Sequence, residues 1–265
     1  MRFFILIFLF SIINFHLKSQ EIVNDTLNPD TAKIILLIPF AEHMYYSDAM
    51  HEFAKKSEMT YEQMLNYTQL QLDFSLQKVF YEGSTVSLLN NYTYAASEDL
   101  DEILSMIGYF LMDRPQEKDT TEKKSFFKKF DKRKKTNSNN EIQDGLFQGE
   151  IVEVRKDKSN KFVNIKFEDE NFLKSLSRKY DVDLMLFITQ FEIKGDFSDP
   201  MNVASDSYNY WINLHYSIFD FSGKFLYGNV AKVPFPSSNK YIETVYKIYF
   251  PKLVENISQA PPFVK

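Results

Sequence analysis

Apolar and polar positions along the chain form short blocks that predict helices alternating with strands. Residues 34–38 are apolar on both faces and predict a strand at the centre of a covered sheet. Thr60 and Gln63 form a capping box that begins a helix, and its apolar residues recur at helical spacing as far as Gly83. Residues 85–89 predict a second short strand. This order is typical of an α/β domain.

The strongest helical pattern comes next along the chain. An apolar stripe over residues 100–111, capped by Asp99 and ended by Pro115, predicts one continuous helix. Residues 147–154 and 162–167 are rich in β-branched and aromatic side chains, and a polar turn separates them. They predict the two strands of a hairpin.

The last third of the chain predicts a helix, three strands and a final helix. Residues 172–176 have helical spacing, and residues 183–188 form another strand that is apolar on both faces. Residues 212–218 alternate between apolar and polar, which predicts one buried and one solvated face. A Ser-Gly turn leads into a partner strand at residues 225–233, and residues 242–257 predict a closing helix.

These elements predict a single α/β domain over residues 33–260, with a mixed sheet flanked by helices. The composition changes abruptly at residues 116–144, where we expect a flexible, disordered basic insertion. Residues 20–32 are polar and show no periodicity, so we expect a flexible lead-in there.

The first residues have the layout of a secretory signal peptide. Arg2 precedes an apolar run over residues 3–15, and a short polar stretch follows. The run is too short to span a membrane, since a spanning helix needs about 20 residues. We expect cleavage after Ser19, so that residues 1–19 are removed and the mature chain begins at Gln20. No second long apolar run occurs, and we expect an exported, periplasmic protein without a transmembrane segment.

Composition excludes several kinds of chemistry. The chain has no cysteine, which rules out disulfides, thiolate metal sites and a cysteine nucleophile. Its seven glycines form no phosphate-binding loop and no nucleophile elbow. Removing the leader removes Arg2 and Lys18 and no acid, so the formal charge moves from −5 to −7, which argues against nucleic acid as a partner. We therefore expect no cofactor, no metal and no enzymatic activity.

The segment after the first strand holds the candidate binding residues. Ligands of open α/β sheets bind at the carboxyl ends of strands, and this segment follows such an end. The candidates are Met44, Tyr45, Tyr46, Ser47 and Asp48. His43 and His51 flank Asp48, so an envelope-directed hydrolase or metal-dependent enzyme using this loop is the alternative function, although zinc ligands usually lie closer in sequence. A solvated loop without a site is a further interpretation.

The strongest electrostatic feature is a stretch from residue 117 to residue 135, which we call the basic segment. It contains nine lysines and arginines against four acids, interleaved with phenylalanines. If helical, it would present an aromatic face beside a basic one. Its cations could bind an anionic envelope surface or an acidic protein, or they could simply be solvated. The candidate surface residues are Lys128, Lys129, Lys132, Arg133, Lys134 and Lys135.

Three stretches resemble the N-terminal α/β domain of TolB and the related CsgG-type envelope proteins. They are Ile-Pro-Phe at residues 38–40, the helix-to-strand passage at residues 180–188, and the hairpin at residues 216–225. Those domains begin with a buried strand ending in Pro-Phe and later have a helix, a turn with Asp, a strand and a hairpin closed by Gly. The resemblance implies an envelope protein.

The Ser-Gln end of the leader and the richness in Phe, Tyr, Asn and Lys resemble an exported protein family of Bacteroidota. Thr26, Thr31 and Thr120 each follow Asp, as in the O-glycosylation sites of that group, and are candidates for glycosylation. The resemblance implies an accessory role. We expect a non-catalytic periplasmic or outer-membrane-associated binding module, whose partner is an envelope protein or an anionic envelope surface.

Overall fold

A computed structural model describes residues 33–80, 84–91, 93–115, 145–147, 150–152, 160–167 and 169–263. The described residues from Ile34 onward form one compact α/β unit. The strands are β1 (Ile35–Ile38), β2 (Tyr45–Ser47), β3 (Thr85–Ser87), β4 (Ile107–Asp113), β5 (Gly145–Phe147), β6 (Glu150–Val152), β7 (Lys161–Phe167), β8 (Leu184–Gly195), β9 (Asn209–Asp220) and β10 (Phe225–Pro236). The helices are α1 (Met50–Ser57), α2 (Tyr61–Phe80), α3 (Tyr94–Met106), α4 (Glu170–Tyr180), α5 (Pro200–Ala204) and α6 (Ile242–Ser258).

The main sheet is mixed, as the sequence predicts. Its strands lie in the order β10-β9-β8-β1-β3, and β2 also pairs with β8. The pairs of β8 with β1 and with β2 are parallel, as is the pair of β1 with β3, whereas β8, β9 and β10 form an antiparallel meander. Strands β8 to β10 are twelve residues long, so they extend well past β1.

One face of the sheet packs against α1, α2 and α6. Side chains at the centre of this layer are fully buried, including Met64, Leu72 and Phe250. The rings of Tyr246 and Phe250 stack with centroids 4.0 Å apart. Helix α2 begins with the predicted capping box, because Thr60 and Gln63 exchange hydrogen bonds of 2.8 and 3.2 Å. This layer is therefore built from the amphipathic patterns visible in the sequence.

The opposite face is covered by α3, α4 and a two-stranded ribbon of β4 and β7. Ile103 of α3 and Leu173 of α4 pack on this side with Phe187 of β8. The ribbon lies over the longer strands, and Phe162 of β7 packs against the backbone of Gly228 in β10. The side chains of β9 that point away from α1, α2 and α6 are therefore buried beneath the ribbon.

Two local predictions are wrong because the ribbon forms. The predicted continuous helix over residues 100–111 ends at Met106 and begins at Tyr94, with Thr93 as its N-cap. Ile107–Asp113 is a strand instead, paired antiparallel with β7. The partner predicted for residues 162–167 is also wrong, since β5 and β6 pair with each other. Pairing across this distance in sequence is decided by packing on the sheet, and a local pattern does not contain it.

The segment after β1 is more ordered than a solvated loop. A short 3-10 turn, Glu42–Met44, leads into β2 and then α1. Tyr45 is buried against the rings of Phe40 and Phe191, with ring centroids 6.1 and 5.5 Å away. The expectation of a loop is thus corrected. Among the described residues, no helix combines the length and the apolar character needed to cross a membrane.

Candidate functional site

A polar cleft of about 480 Å³ opens where β8, β9 and β10 extend past β1. Its volume lies in the range of small-molecule sites. The ribbon forms one wall, and the sheet forms the floor. The floor and wall are lined by Gln190, Glu192 and Lys194 of β8, Asn213 and His215 of β9, Val230 and Lys232 of β10, and Leu111, Lys161 and Val163 of the ribbon.

A β-bulge in β8 turns the polar side chains toward this cleft. The pairing of β8 with β9 shifts register between Ile188 and Gln190. Before the shift, even-numbered side chains such as Ile188 face the layer of α1, α2 and α6. After the shift, odd-numbered side chains such as Phe191 face that layer. Without the extra residue, Gln190 and Glu192 would point into the apolar core. The bulge therefore creates the polar floor of the site.

Glu192 lies at one end of a row of polar side chains that crosses β8, β9 and β10. It stands opposite Asn213, which in turn stands opposite Lys232. Its carboxylate accepts hydrogen bonds from Gln190 Nε2 at 2.6 Å and Asn213 Nδ2 at 3.4 Å, and Lys194 Nζ lies 2.8 Å away. Both oxygens of this buried acid are thus engaged, and its charge is balanced by Lys194.

His215 joins the floor of the cleft to the ribbon. Its Nδ1 accepts a hydrogen bond of 2.9 Å from the backbone N–H of Val163, and Thr189 Oγ1 donates to the carbonyl of Val163 at 2.5 Å. Burial lowers the pKa of His215 to about 4; Glu192 acts in the opposite direction and Lys194 adds to the lowering. The imidazole is therefore neutral at pH 7, with its proton on Nε2.

The expectation that one face of β9 is exposed to solvent is wrong, because the ribbon covers that face. Asn213, His215 and Ser217 alternate with apolar residues as predicted, but all three are buried. The ribbon covers them, and Ser217 donates a hydrogen bond of 2.8 Å to Asn164 Oδ1 of β7. A polar strand face in sequence can thus be a polar interface between two sheets rather than a solvated surface.

Lys232 supplies a cation without a partner carboxylate. It forms no ion pair within the part of the chain that the structure describes. Partial desolvation of the ammonium lowers the pKa of Lys232, and repulsion from Arg114 lowers it further. Arg114 follows the ribbon and donates a 2.7 Å hydrogen bond from Nε to Asn229 Oδ1 of β10. Positive charge therefore accumulates on this side of the cleft.

The five predicted binding residues lie around β2. None of them lines the cleft, but Tyr46 pairs with Glu192 across β2 and β8 and so lies beside the cleft floor. Met44 and Tyr45 are buried in the core, whereas Tyr46 is half exposed. Asp48 accepts a hydrogen bond of 2.9 Å from the backbone N–H of Gly195, and Ser47 pairs with Ile193 across β2 and β8. The contacts of Met44, Tyr45 and Asp48 are structural, and a ligand-binding role for this segment stays a prediction.

The alternative of a metal-dependent site depends on His43, Asp48 and His51. His43 packs edge-on against Tyr109 of the ribbon, with ring centroids 5.5 Å apart, while His51 is exposed on α1. Asp48 faces the end of β8, as described above. No three potential metal ligands of the described residues form a cluster. The structure thus gives each of these side chains a different set of neighbours.

Other predicted residues lie outside the part of the structure described here. They are the signal peptide at 1–19, the lead-in at 20–32, the glycosylation candidates Thr26, Thr31 and Thr120, and the whole insertion at 116–144 with Lys128, Lys129, Lys132, Arg133, Lys134 and Lys135. These assignments stay predictions.

The cleft residues were missed by the sequence reasoning, although a signal for them exists. Gln190, Glu192 and Lys194 alternate with Phe191 and Ile193, which indicates a strand with one polar face. Polar and apolar residues also alternate along β9, which indicates a second strand with one polar face. What the sequence does not show is that the polar side chains of β8, β9 and β10 lie together on one side of the sheet, because that depends on the bulge and on the register of the meander.

Comparison of the chain with protein-family models, with curated proteins and with solved structures finds no match in any of the three. Functional inference therefore rests on the geometry of the cleft and on the sequence.

Proposed function

We propose that the protein is a non-catalytic binding module of the bacterial envelope, periplasmic or associated with the outer membrane, that holds an anionic component in the cleft. The observation that carries this proposal is the charge of the cleft lining. Three lysines and one glutamate line it, and that glutamate is already paired with Lys194. The positive charge that is left attracts an anion.

The leader at residues 1–19 supports export, and the resemblance to the TolB and CsgG-type domains supports an envelope location. On this proposal the mature protein meets lipid headgroups, lipopolysaccharide and anionic glycans. All of these carry phosphate or carboxylate groups, for which a lysine-lined cleft has complementary charge.

The contacts of His215 support binding rather than catalysis. A histidine acting as general base needs a free nitrogen that can take up a proton. Nδ1 of His215 already accepts from the Val163 amide, and Nε2 carries the proton of the neutral ring. His215 is therefore a donor toward the cleft, suited to hold an anion.

Co-sedimentation with vesicles made from outer-membrane extract containing lipopolysaccharide tests the proposal. The cleft variant carries Lys161→Gln and Lys232→Gln. The control variant carries Lys55→Gln and Lys247→Gln, which change two exposed lysines on the opposite, helical side of the sheet. Every protein also has the six candidate cations of the basic segment replaced by Gln, so that attachment through the segment does not contribute.

We expect the control to co-sediment as the parent does at low salt and the cleft variant to remain in solution. Lys194 is kept in all variants because removing it would leave Glu192 buried without its cation. If the cleft variant co-sediments as fully as the control, the cleft is not the binding site and the proposal fails.

A further inference from the structure

The charge excess in the cleft amounts to two units. Of the three lysines in its lining, Lys194 neutralises Glu192. Lys232 has no ion-pair partner among the described residues, as noted above. Lys161 lies 3.3 Å from Asp113, whose side chain is 79% exposed, so solvent and salt weaken that pair. His215 is neutral and adds no charge. Lys161 and Lys232 are therefore the cations available to a ligand.

Uncharged polar groups lie beside these cations. The ring of His215 offers an N–H donor at Nε2. Gln190 and Asn213 donate to Glu192 through their amide nitrogens, and no hydrogen bond from a described residue reaches Gln190 Oε1 or Asn213 Oδ1. These two oxygens can accept from hydroxyl groups. The lining thus combines a dicationic part with acceptors for a neutral polar group.

We propose that the cleft binds a phosphomonoester carried on a sugar-sized polar group, with Lys161 and Lys232 facing the phosphate and with Gln190 and Asn213 facing hydroxyls. This inference rests on the proposed function and names its ligand chemistry. A phosphomonoester carries a charge of about −1.5 to −2 near pH 7, which balances two lysines. A carboxylate or a phosphodiester carries one charge and leaves one lysine uncompensated.

The size of the cleft favours the same ligand. At about 480 Å³ it is much larger than a phosphate ion alone, and it holds a phosphate together with a pyranose-sized group. The apolar side chains of Val163 and Val230 in the lining can contact the carbon face of such a ring. Two sources have this chemistry, a free sugar phosphate and a lipid headgroup that ends in a phosphomonoester.

Calorimetric titration of the mature full chain tests the inference with three probes: glucose 6-phosphate, glucuronate and glucose. We expect glucose 6-phosphate to bind at least about tenfold more tightly than glucuronate, since a charge-assisted hydrogen bond contributes on the order of that factor. Glucose should bind weakest. Lys161→Gln with Lys232→Gln should remove the preference, Lys161→Arg with Lys232→Arg should restore it in part, and Lys55→Gln with Lys247→Gln should leave it unchanged.

Vesicles of phosphatidic acid and of phosphatidylglycerol, each diluted in phosphatidylcholine to equal surface charge, distinguish the two sources. These use proteins with the basic segment neutralised. Preference for phosphatidic acid indicates a lipid headgroup, whereas tight binding of glucose 6-phosphate with no such preference indicates a soluble ligand; either result supports the inference.

Equal affinity for glucose 6-phosphate and glucuronate, together with no preference for phosphatidic acid, overturns the phosphomonoester inference. The proposed function then still stands if co-sedimentation with outer-membrane vesicles requires Lys161 and Lys232. It fails separately if that co-sedimentation is unaffected in the cleft variant, so the two failures give different results. Thermal melts of both glutamine variants establish that any loss of binding occurs in a folded protein.

Discussion

The backbone N–H of Val163 donates a hydrogen bond of 2.9 Å to Nδ1 of His215, and this bond ties the ribbon to the main sheet. Both groups are buried, so losing either one would leave its partner without a hydrogen bond in a region that water reaches poorly. The contact exists only while Nδ1 is unprotonated. Docking of the ribbon, and with it the wall of the cleft, is therefore coupled to the charge of one histidine.

Stability should fall as pH is lowered through the range in which His215 titrates. Burial lowers the pKa of His215 to about 4, opposed by Glu192 and aided by Lys194, Lys232 and Arg114. In the unfolded chain His215 takes up its proton near pH 6.5. The stability contributed by the neutral histidine is therefore complete above pH 6.5 and is lost as pH falls toward about 4. We expect a loss of about 3 kcal/mol, measured by denaturant unfolding at pH 7, 5.5 and 4.5.

His215→Gln provides the test of cause, because a glutamine oxygen can accept from Val163 and does not titrate. This variant should lose less stability than the wild type between pH 7 and pH 4.5. His51→Gln, on the exposed surface of α1, should keep the wild-type pH dependence. An identical acid loss in the wild type and in His215→Gln would show that other groups are responsible.

Gly228→Ala should destabilise the ribbon. A Cβ at this position would overlap the ring of Phe162 and lie 3.0 Å from the carbonyl oxygen of Tyr216. Phe162 is buried, so a shift of its ring would disturb packed neighbours, and we expect a cost of about 1 to 3 kcal/mol. Chemical unfolding measures this cost.

Gly108→Ala, in β4 of the ribbon itself, is the matched control. A Cβ there would come within 3.1 Å of the Lys166 side chain, which is flexible and can move away. We expect a loss well below that of Gly228→Ala. Equal losses would mean that a side chain added at any glycine in or beneath the ribbon is harmful, and that contact between Phe162 and Gly228 has no special weight.

Features that depend on neighbouring residues could be predicted from sequence. The capping box of Thr60 and Gln63 satisfies two amides within one turn, so its three-residue spacing is sufficient to locate the start of α2. The turn at Gly223 also follows from local chemistry, since its φ of 87° favours glycine. The class of the fold then follows from the order of such elements.

Features that depend on distant pairing could not be predicted. Residues 100–111 show helical spacing throughout, yet the chain leaves the helix after Met106 because Ile107–Asp113 pairs with β7. The cleft has the same origin: a bulge at residues 188–190, the register of three strands and the ribbon above them have to coincide. Each of these is a tertiary relationship that overrides local preference.

Replacement of Ile103 tests which face of α3 is buried. Ile103 is completely buried, whereas Leu104, at the centre of the apolar stripe in sequence, is only partly buried. We expect Ile103→Ala to lower the free energy of unfolding by about 2 to 5 kcal/mol, and Leu104→Ala to lower it by less. Glu102→Ala, on the exposed side of the helix, should have little effect. A larger loss for Leu104→Ala would contradict the packing described here.

Export of the chain is a separate prediction. The charged start and apolar run of residues 1–19 should direct secretion in a Gram-negative host, with cleavage after Ser19. Mass spectrometry of the protein recovered from the periplasm should find Gln20 as the first residue, or a residue close to it. Recovery of most molecules with Met1 intact would contradict the assignment.

The basic segment should add a second, salt-sensitive attachment to anionic membranes. Each lysine or arginine near such a surface contributes about 1 kcal/mol, and this attraction weakens as salt rises. Replacing Lys128, Lys129, Lys132, Arg133, Lys134 and Lys135 with Ser or Gln should release the protein from phosphatidylglycerol vesicles at low salt and leave its melting temperature unchanged. If the wild type does not bind these vesicles at low salt, the segment has no such role. If the variant melts at a clearly lower temperature, the segment belongs to the folded domain, and the predicted boundaries at 116 and 144 are wrong.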